Sequence, residues 1–171
     1  MKLELFNPYL PRLKYDCIMK KALSFSGVLL IMGCFASAQL QAQSSGARLN
    51  HIAQYVIDLK VSTDFYMKVV GLDTIPEPFH DGRHTWFLIG PKSHLHIISG
   101  VKTPLPKEKN THLCFTVPSV EAFIPRLTQN KIPYENWVGE KMAVTNRVDG
   151  VKQIYFQDPD GYWIEINDAR E

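Results

Sequence analysis

The sequence predicts an α+β fold: two copies of one strand–helix–strands unit, side by side as one open, curved mixed sheet with helices outside. Three observations predict it. Strand-like and helix-like runs follow each other in the same order twice. The two passages align, with His51 and Val56 spaced as His112 and Val117 are, and Trp86 and His96 spaced as Tyr155 and Glu165 are. Each half alone would leave a sheet face bare, so the halves must pack together.

The elements follow in order. Residues 49–56, LNHIAQYV, read as a strand. Next comes DLKVSTDFYMKVVG, where Val61, Phe65 and Val69, with Tyr66 and Val70, form a helical stripe and Gly71 supplies the stop. Pro76 and Pro78 mark a loop, and HTWFLIG and SHLHIIS read as two strands joined by a Gly-Pro turn. A Pro/Lys linker spans residues 101–110, and THLCFTV begins the second unit as a strand. Ser119 caps the next helix, whose Val120, Phe123, Ile124 and Leu127 sit at i, i+3, i+4 and i+7. Pro125 lies inside that helix and should kink or shorten it. PYENWV and AVTNRV are expected as further strands, followed by KQIYFQD and GYWIEIN. One domain over 49–168 results, with modules at about 49–100 and 111–168.

Residues 1–42 are expected to be an extension and a secretory signal. From Met19, the expected start, two lysines precede an apolar run that ends before Ala36-Ser37-Ala38, the small residues a signal peptidase reads. The run is too short to span a membrane as a helix. Cys34 in IMGC offers a lipid-attachment point, disfavoured by the Met two positions ahead of it. The protein is thus expected to be exported, periplasmic or secreted. Its formal net charge of +2 comes from Lys2, Arg12, Lys14, Lys20 and Lys21 in the removed part, and the body is near neutral. That balance offers nucleic acid and anionic membranes no footprint. Of the three cysteines only Cys114 lies in the body, which excludes an intrachain disulfide framework there.

The chemistry sits at matched strand positions. Side chains alternate across a strand, so one residue per strand can be aimed at a common point inside a cup. Those positions hold His51, His96, His112 and Glu165, the side chains a borderline divalent cation accepts. A bare carboxylate inside a sheet is costly, and a cation beside Glu165 would remove that cost.

The passages LNHIAQYVIDLKVSTDFYMKVVGL, WFLIGPKSHLHIISG, THLCFTV and YFQDPDGYWIEI resemble the glyoxalase I / fosfomycin-resistance / extradiol dioxygenase superfamily, the vicinal oxygen chelate proteins. The resemblance implies paired βαβββ modules around a divalent metal, with ligands falling on His51, His112 and Glu165 and a fourth on His96. Glyoxalase I usually has Glu at that fourth place, where it serves as base; imidazole can also ligate or take a proton. The implied activity is that of a lyase or isomerase. It would use zinc, nickel, manganese or iron to hold two neighbouring oxygens of a small substrate and stabilise an anion on it. The resemblance also implies a possible homodimer, and it leaves open a metal-free binding module of the bleomycin-resistance kind and a fosfomycin-type transferase.

Other residues have plainer readings. Tyr55, Trp86, Cys114 and Trp163 are candidate walls of a substrate pocket, with Cys114 lacking the base a nucleophile needs. His94 shares a face with His96, whereas His80 and His84 flank a loop and are expected in solvent. Lys141, Arg147 and Lys152 are read as solvated cations that could also receive an acidic substrate.

Overall fold

A computed structural model describes residues 46–103 and 106–170. The expected signal and the Cys34 anchor lie outside the described residues. In the unit Arg48–Glu171 the repeated module appears as expected. The first module comprises β1 (His51–Val56), α1 (Leu59–Phe65), β2 (Thr74–Ile75), β3 (His84–Gly90) and β4 (Ser93–Ser99). The second comprises β5 (His112–Thr116), α2 (Val120–Gln129), β6 (Thr145–Asn146), β7 (Lys152–Gln157) and β8 (Trp163–Asn167). The strands form two four-stranded sheets, ordered β1-β4-β3-β2 and β5-β8-β7-β6, where the sequence suggested one continuous sheet. In each, the first strand pairs parallel with the last, and the last pairs antiparallel with its hairpin neighbour.

Local chemistry fixes the helices. The Asp58 carboxylate accepts the Val61 N–H at 3.0 Å and caps α1. The helix continues as a π-helical turn, Tyr66–Val70, ended by Gly71 at φ +91°, a conformation that favours glycine. Two positions depart from the expected stripe: Val61 is 50% exposed, while Ser62 is buried because its hydroxyl donates to Asp160 at 2.6 Å. In α2, Ser119 caps as expected, and the helix runs on through Pro125. The missing N–H deprives only the carbonyl of Glu121, an exposed residue that water can serve. PYENWV is not a strand. Lys131 and Met142 take positive φ on either side, and Glu135 makes only isolated bridges, to Lys141 and Tyr155.

Period-two alternation gives each sheet a core face and an open face. Phe87, Leu95, Ile97, Ile154, Phe156, Ile164 and Ile166 are all buried on the core side. Phe156 meets Phe65 and Phe123 at 6.2 Å each, so both helices share one core. The Asp-Pro-Asp-Gly turn ties the modules together. Asp158 accepts the Asp160 and Tyr162 N–H groups and the Tyr66 hydroxyl, and Asp160 accepts the Ile57 N–H at 2.7 Å. Burial pushes the Asp158 carboxyl up to about 6, against the hydrogen bonds that favour its charge.

Candidate functional site

The four candidate donors all lie on open faces, two per sheet. On the first sheet, His51 stands opposite His94, while Ala53 and Trp86 flank His96 on either side. The His96 ring is stacked between Trp86, at 3.5 Å between centroids, and His51, at 4.4 Å. Burial first, then the neighbouring His51, His94 and His84, push His96 down to about 4, so it is neutral near neutral pH. Its Nε2 is buried with no hydrogen-bond partner, as is Nε1 of Trp86. Buried nitrogens without partners are uncommon, and two in one stack mark an unfinished polar surface. His51 is anchored at Nδ1 by Asn50 Oδ1, 2.8 Å away.

The second sheet repeats the register with other chemistry. Cys114 and Tyr155 flank Glu165, and His112 lies opposite Trp163. Glu165, only 5% exposed, accepts from the Tyr155 hydroxyl at 2.6 Å, Asn167 Nδ2 at 2.9 Å and the Cys114 thiol at 3.4 Å. Burial raises its pKa, but these bonds and the adjacent His112 outweigh that and hold it below the ordinary range. A cation is thus not needed to offset its burial, because three protein donors already serve it. Burial and the Glu165 charge push the Cys114 thiol up to about 12, so it stays protonated near neutral pH and is no nucleophile.

His112 is the remaining neighbour of Glu165. His112 Nδ1 lies 2.7 Å from the Lys109 carbonyl, an acceptor only, so this nitrogen carries the proton. A neutral His112 therefore points the Nε2 lone pair at Glu165 Oε2, 3.1 Å away. Two lone pairs at that distance require a positive charge between them: a proton, giving an ion pair, or a metal cation.

The structure thus pairs His51 with His96 and His112 with Glu165, but does not gather the four into one cluster. Among the described residues no group of three or more His, Cys, Asp or Glu could hold a metal ion. Matched strands are expected to aim all four at one point; within one chain they stand as two pairs, since alternation sets a face within one sheet and says nothing about how two sheets face each other. Trp86, Cys114 and Trp163 flank the donors. Tyr55 lies farther along β1, where its backbone N–H and carbonyl both meet the Tyr162 hydroxyl at 3.2 Å. His84 is not a solvated loop residue; it begins β3, largely buried, bonded to Asp81 at 2.8 Å. Lys141, Arg147 and Lys152 pair with Glu135, Asp149 and Glu121 respectively. Tyr155, Asn167 and Lys109 were missed, although the match of Tyr155 to Trp86 in the repeat could have signalled the first.

In kind, this donor set fits a divalent cation: imidazole nitrogens, one carboxylate, and an unpartnered buried nitrogen on His96. Comparisons with known proteins agree on the scaffold. Glyoxylase I 4 of Arabidopsis thaliana is 28% identical over 124 residues, covering 69% of this chain and 68% of that protein. Oxidase ChaP-H2 superposes with a TM-score of 0.61 at 22% identity, covering 72% of this chain and 94% of that one. The fosfomycin resistance protein FosX of Listeria monocytogenes gives 0.59 at 22% identity, covering 73% and 95%. Residues 48–166 match the family described as the Glyoxalase/Bleomycin resistance protein/Dioxygenase superfamily, and the chain belongs to it.

Proposed function

We propose that the protein is a divalent-metal-dependent enzyme of the vicinal oxygen chelate type, a lyase or isomerase acting on a small oxygen-rich substrate. The observation that carries this reading is the placement of His112 Nε2 3.1 Å from Glu165 Oε2, with Nδ1 already committed to the Lys109 carbonyl, two donors close enough to share one cation. Zinc, nickel, manganese and iron all suit such donors, and the ion would polarise two neighbouring substrate oxygens. The chain's own part is to hold Glu165 ionised, as its hydrogen bonds do, and to present His96 as a neutral imidazole with an unpartnered nitrogen. The export segment would place this chemistry outside the cytosol, on a substrate that is not a cytosolic thiol adduct.

Two donors per face fall short of the three or four protein ligands such ions usually take. We therefore read the site as shared, with His51 and His96 of one copy meeting His112 and Glu165 of a second. Both open faces expose the apolar side chains such a contact needs: Leu88 and Tyr55 on the first sheet, Trp137 beside the second. A metal-free binding module is the second reading, favoured by the fact that Glu165 is already served by protein donors.

Complementation tests both. One variant carries His51→Ala and His96→Ala; the other carries His112→Ala and Glu165→Gln. Elemental analysis should find metal in the native protein and little in either variant alone. Unfolding and refolding the two together should restore about a quarter of the native content, because about half of the dimers formed are mixed and each mixed dimer regains one of its two sites. No recovery on mixing would end the shared-site reading, and a metal-free native protein would favour the binding module.

A further inference from the structure

We infer that Lys109 of the linker, held by buried Glu135, is a positioning residue that fixes the tautomer and direction of His112. This inference builds on the assignment of His112 to the functional site. Lys109 is only 18% exposed on its side chain, unusual for a lysine in a connecting segment. Its ammonium has three protons, and three acceptors surround it: the Glu135 carboxylate, the Asn136 carbonyl at 3.4 Å and the Trp137 carbonyl at 3.3 Å. It also lies 4.9 Å over the Trp163 ring. With its protons so committed, Lys109 has none to offer a substrate. What it fixes is the backbone around it.

That backbone carries the carbonyl that receives the proton on His112 Nδ1. The linker is fastened at a second point, where Trp163 Nε1 donates to the Lys107 carbonyl at 3.1 Å and the Lys107 ammonium lies 4.0 Å over the Tyr162 ring. Glu135 is itself tied to the site strand. Its N–H and carbonyl exchange hydrogen bonds of 2.9 and 2.8 Å with Tyr155, the residue whose hydroxyl serves Glu165. One ion pair thereby sets the linker carbonyl in register with β7. His112 is left with a single free nitrogen, Nε2, directed at the carboxylate. Orienting a histidine through its second nitrogen is a known way to tune a ligand.

The test compares Lys109→Met, Lys109→Arg and Glu135→Gln in the full chain. Nitrogen-resolved NMR at alkaline pH reads the His112 tautomer, and calorimetry with zinc ion alone reads affinity. The native protein and Lys109→Arg should show a single Nδ1–H tautomer. Lys109→Met should show mixed tautomers and a zinc affinity roughly 10–100-fold weaker. Glu135→Gln keeps the backbone bridges to Tyr155, should move the same way by less, and decides the matter if the methionine variant does not fold. A single Nδ1–H tautomer with native zinc affinity in the tested variant overturns the inference, whatever happens to its melting temperature. Native protein that takes up no zinc would count against the metal reading, while the tautomer result would still decide the role of Lys109.

Discussion

The two open faces are the same construction carrying opposite polar accounts. Ala53, His96 and Trp86 form a row across the first sheet, and Cys114, Glu165 and Tyr155 form the corresponding row across the second. On the second sheet the central residue has donors on both carboxylate oxygens. On the first, the central residue has a buried nitrogen with no partner. A duplicated backbone fixes where functional side chains stand, and the residues beside them determine which half is finished alone. The donors around Glu165 come from within the chain, whereas His96 Nε2 has no partner among the described residues.

Replacing each central residue by leucine gives the sharpest test, since the predicted signs differ. Glu165→Leu strands the Tyr155 hydroxyl and the Asn167 amide inside the protein. At about 1–3 kcal/mol for each buried donor left unpaired, stability should fall by on the order of 3 kcal/mol. His96→Leu removes the orphaned nitrogen but also the stacking on Trp86, worth about 0.5–1.5 kcal/mol. Its stability should be unchanged or up to about 1 kcal/mol higher. Urea unfolding of both variants measures this, and equal losses would erase the distinction between the halves.

Asp158 lies outside both open faces and joins the modules that carry them. Its raised carboxyl means the folded protein binds a proton more readily than the unfolded chain does. Stability from this group is therefore greatest below the unfolded value of 3.8, falls as pH rises through the window, and levels off above about 6. In Asp158→Asn, Oδ1 still accepts the Asp160 and Tyr162 N–H groups, and Nδ2 can donate to the Tyr66 oxygen, freeing the Tyr66 proton for Gln54. The variant should gain on the order of 2–3 kcal/mol over the native chain above about pH 6 and nothing near pH 4, since one pKa unit is 1.36 kcal/mol. Metal content should not change. An advantage that stays flat across the range would mean Asp158 does not titrate there.

Much of this was readable from the residues. Alternation placed His51, His96, His112 and Glu165 on strands, and the repeat put them at matching positions. The split into two pairs was not readable, because the relation between two sheets depends on packing against shared helices such as the Phe65–Phe156–Phe123 contact. Lys109 escaped for a similar reason: a lysine in a Pro/Lys linker reads as solvated until its tertiary partner Glu135 is known. The PYENWV segment failed because its aromatic and β-branched residues mimic a strand while the flanking left-handed turns prevent a ladder.

Helix α1 supplies the finest test, away from both open faces. An apolar periodicity of 3.6 assigns Val61 to the core, and the structure gives its place to Ser62, whose hydroxyl bonds to Asp160. A half-exposed valine on a short helix contributes little, so Val61→Lys should change stability by less than about 0.5 kcal/mol. Gel filtration and urea unfolding of this variant can be read together. A larger loss that grows on dilution would mean a second copy covers this helix, extending the contact between chains beyond the sheet faces. A larger loss independent of concentration would restore Val61 to the core and make the helix, like the sheets, follow its sequence period.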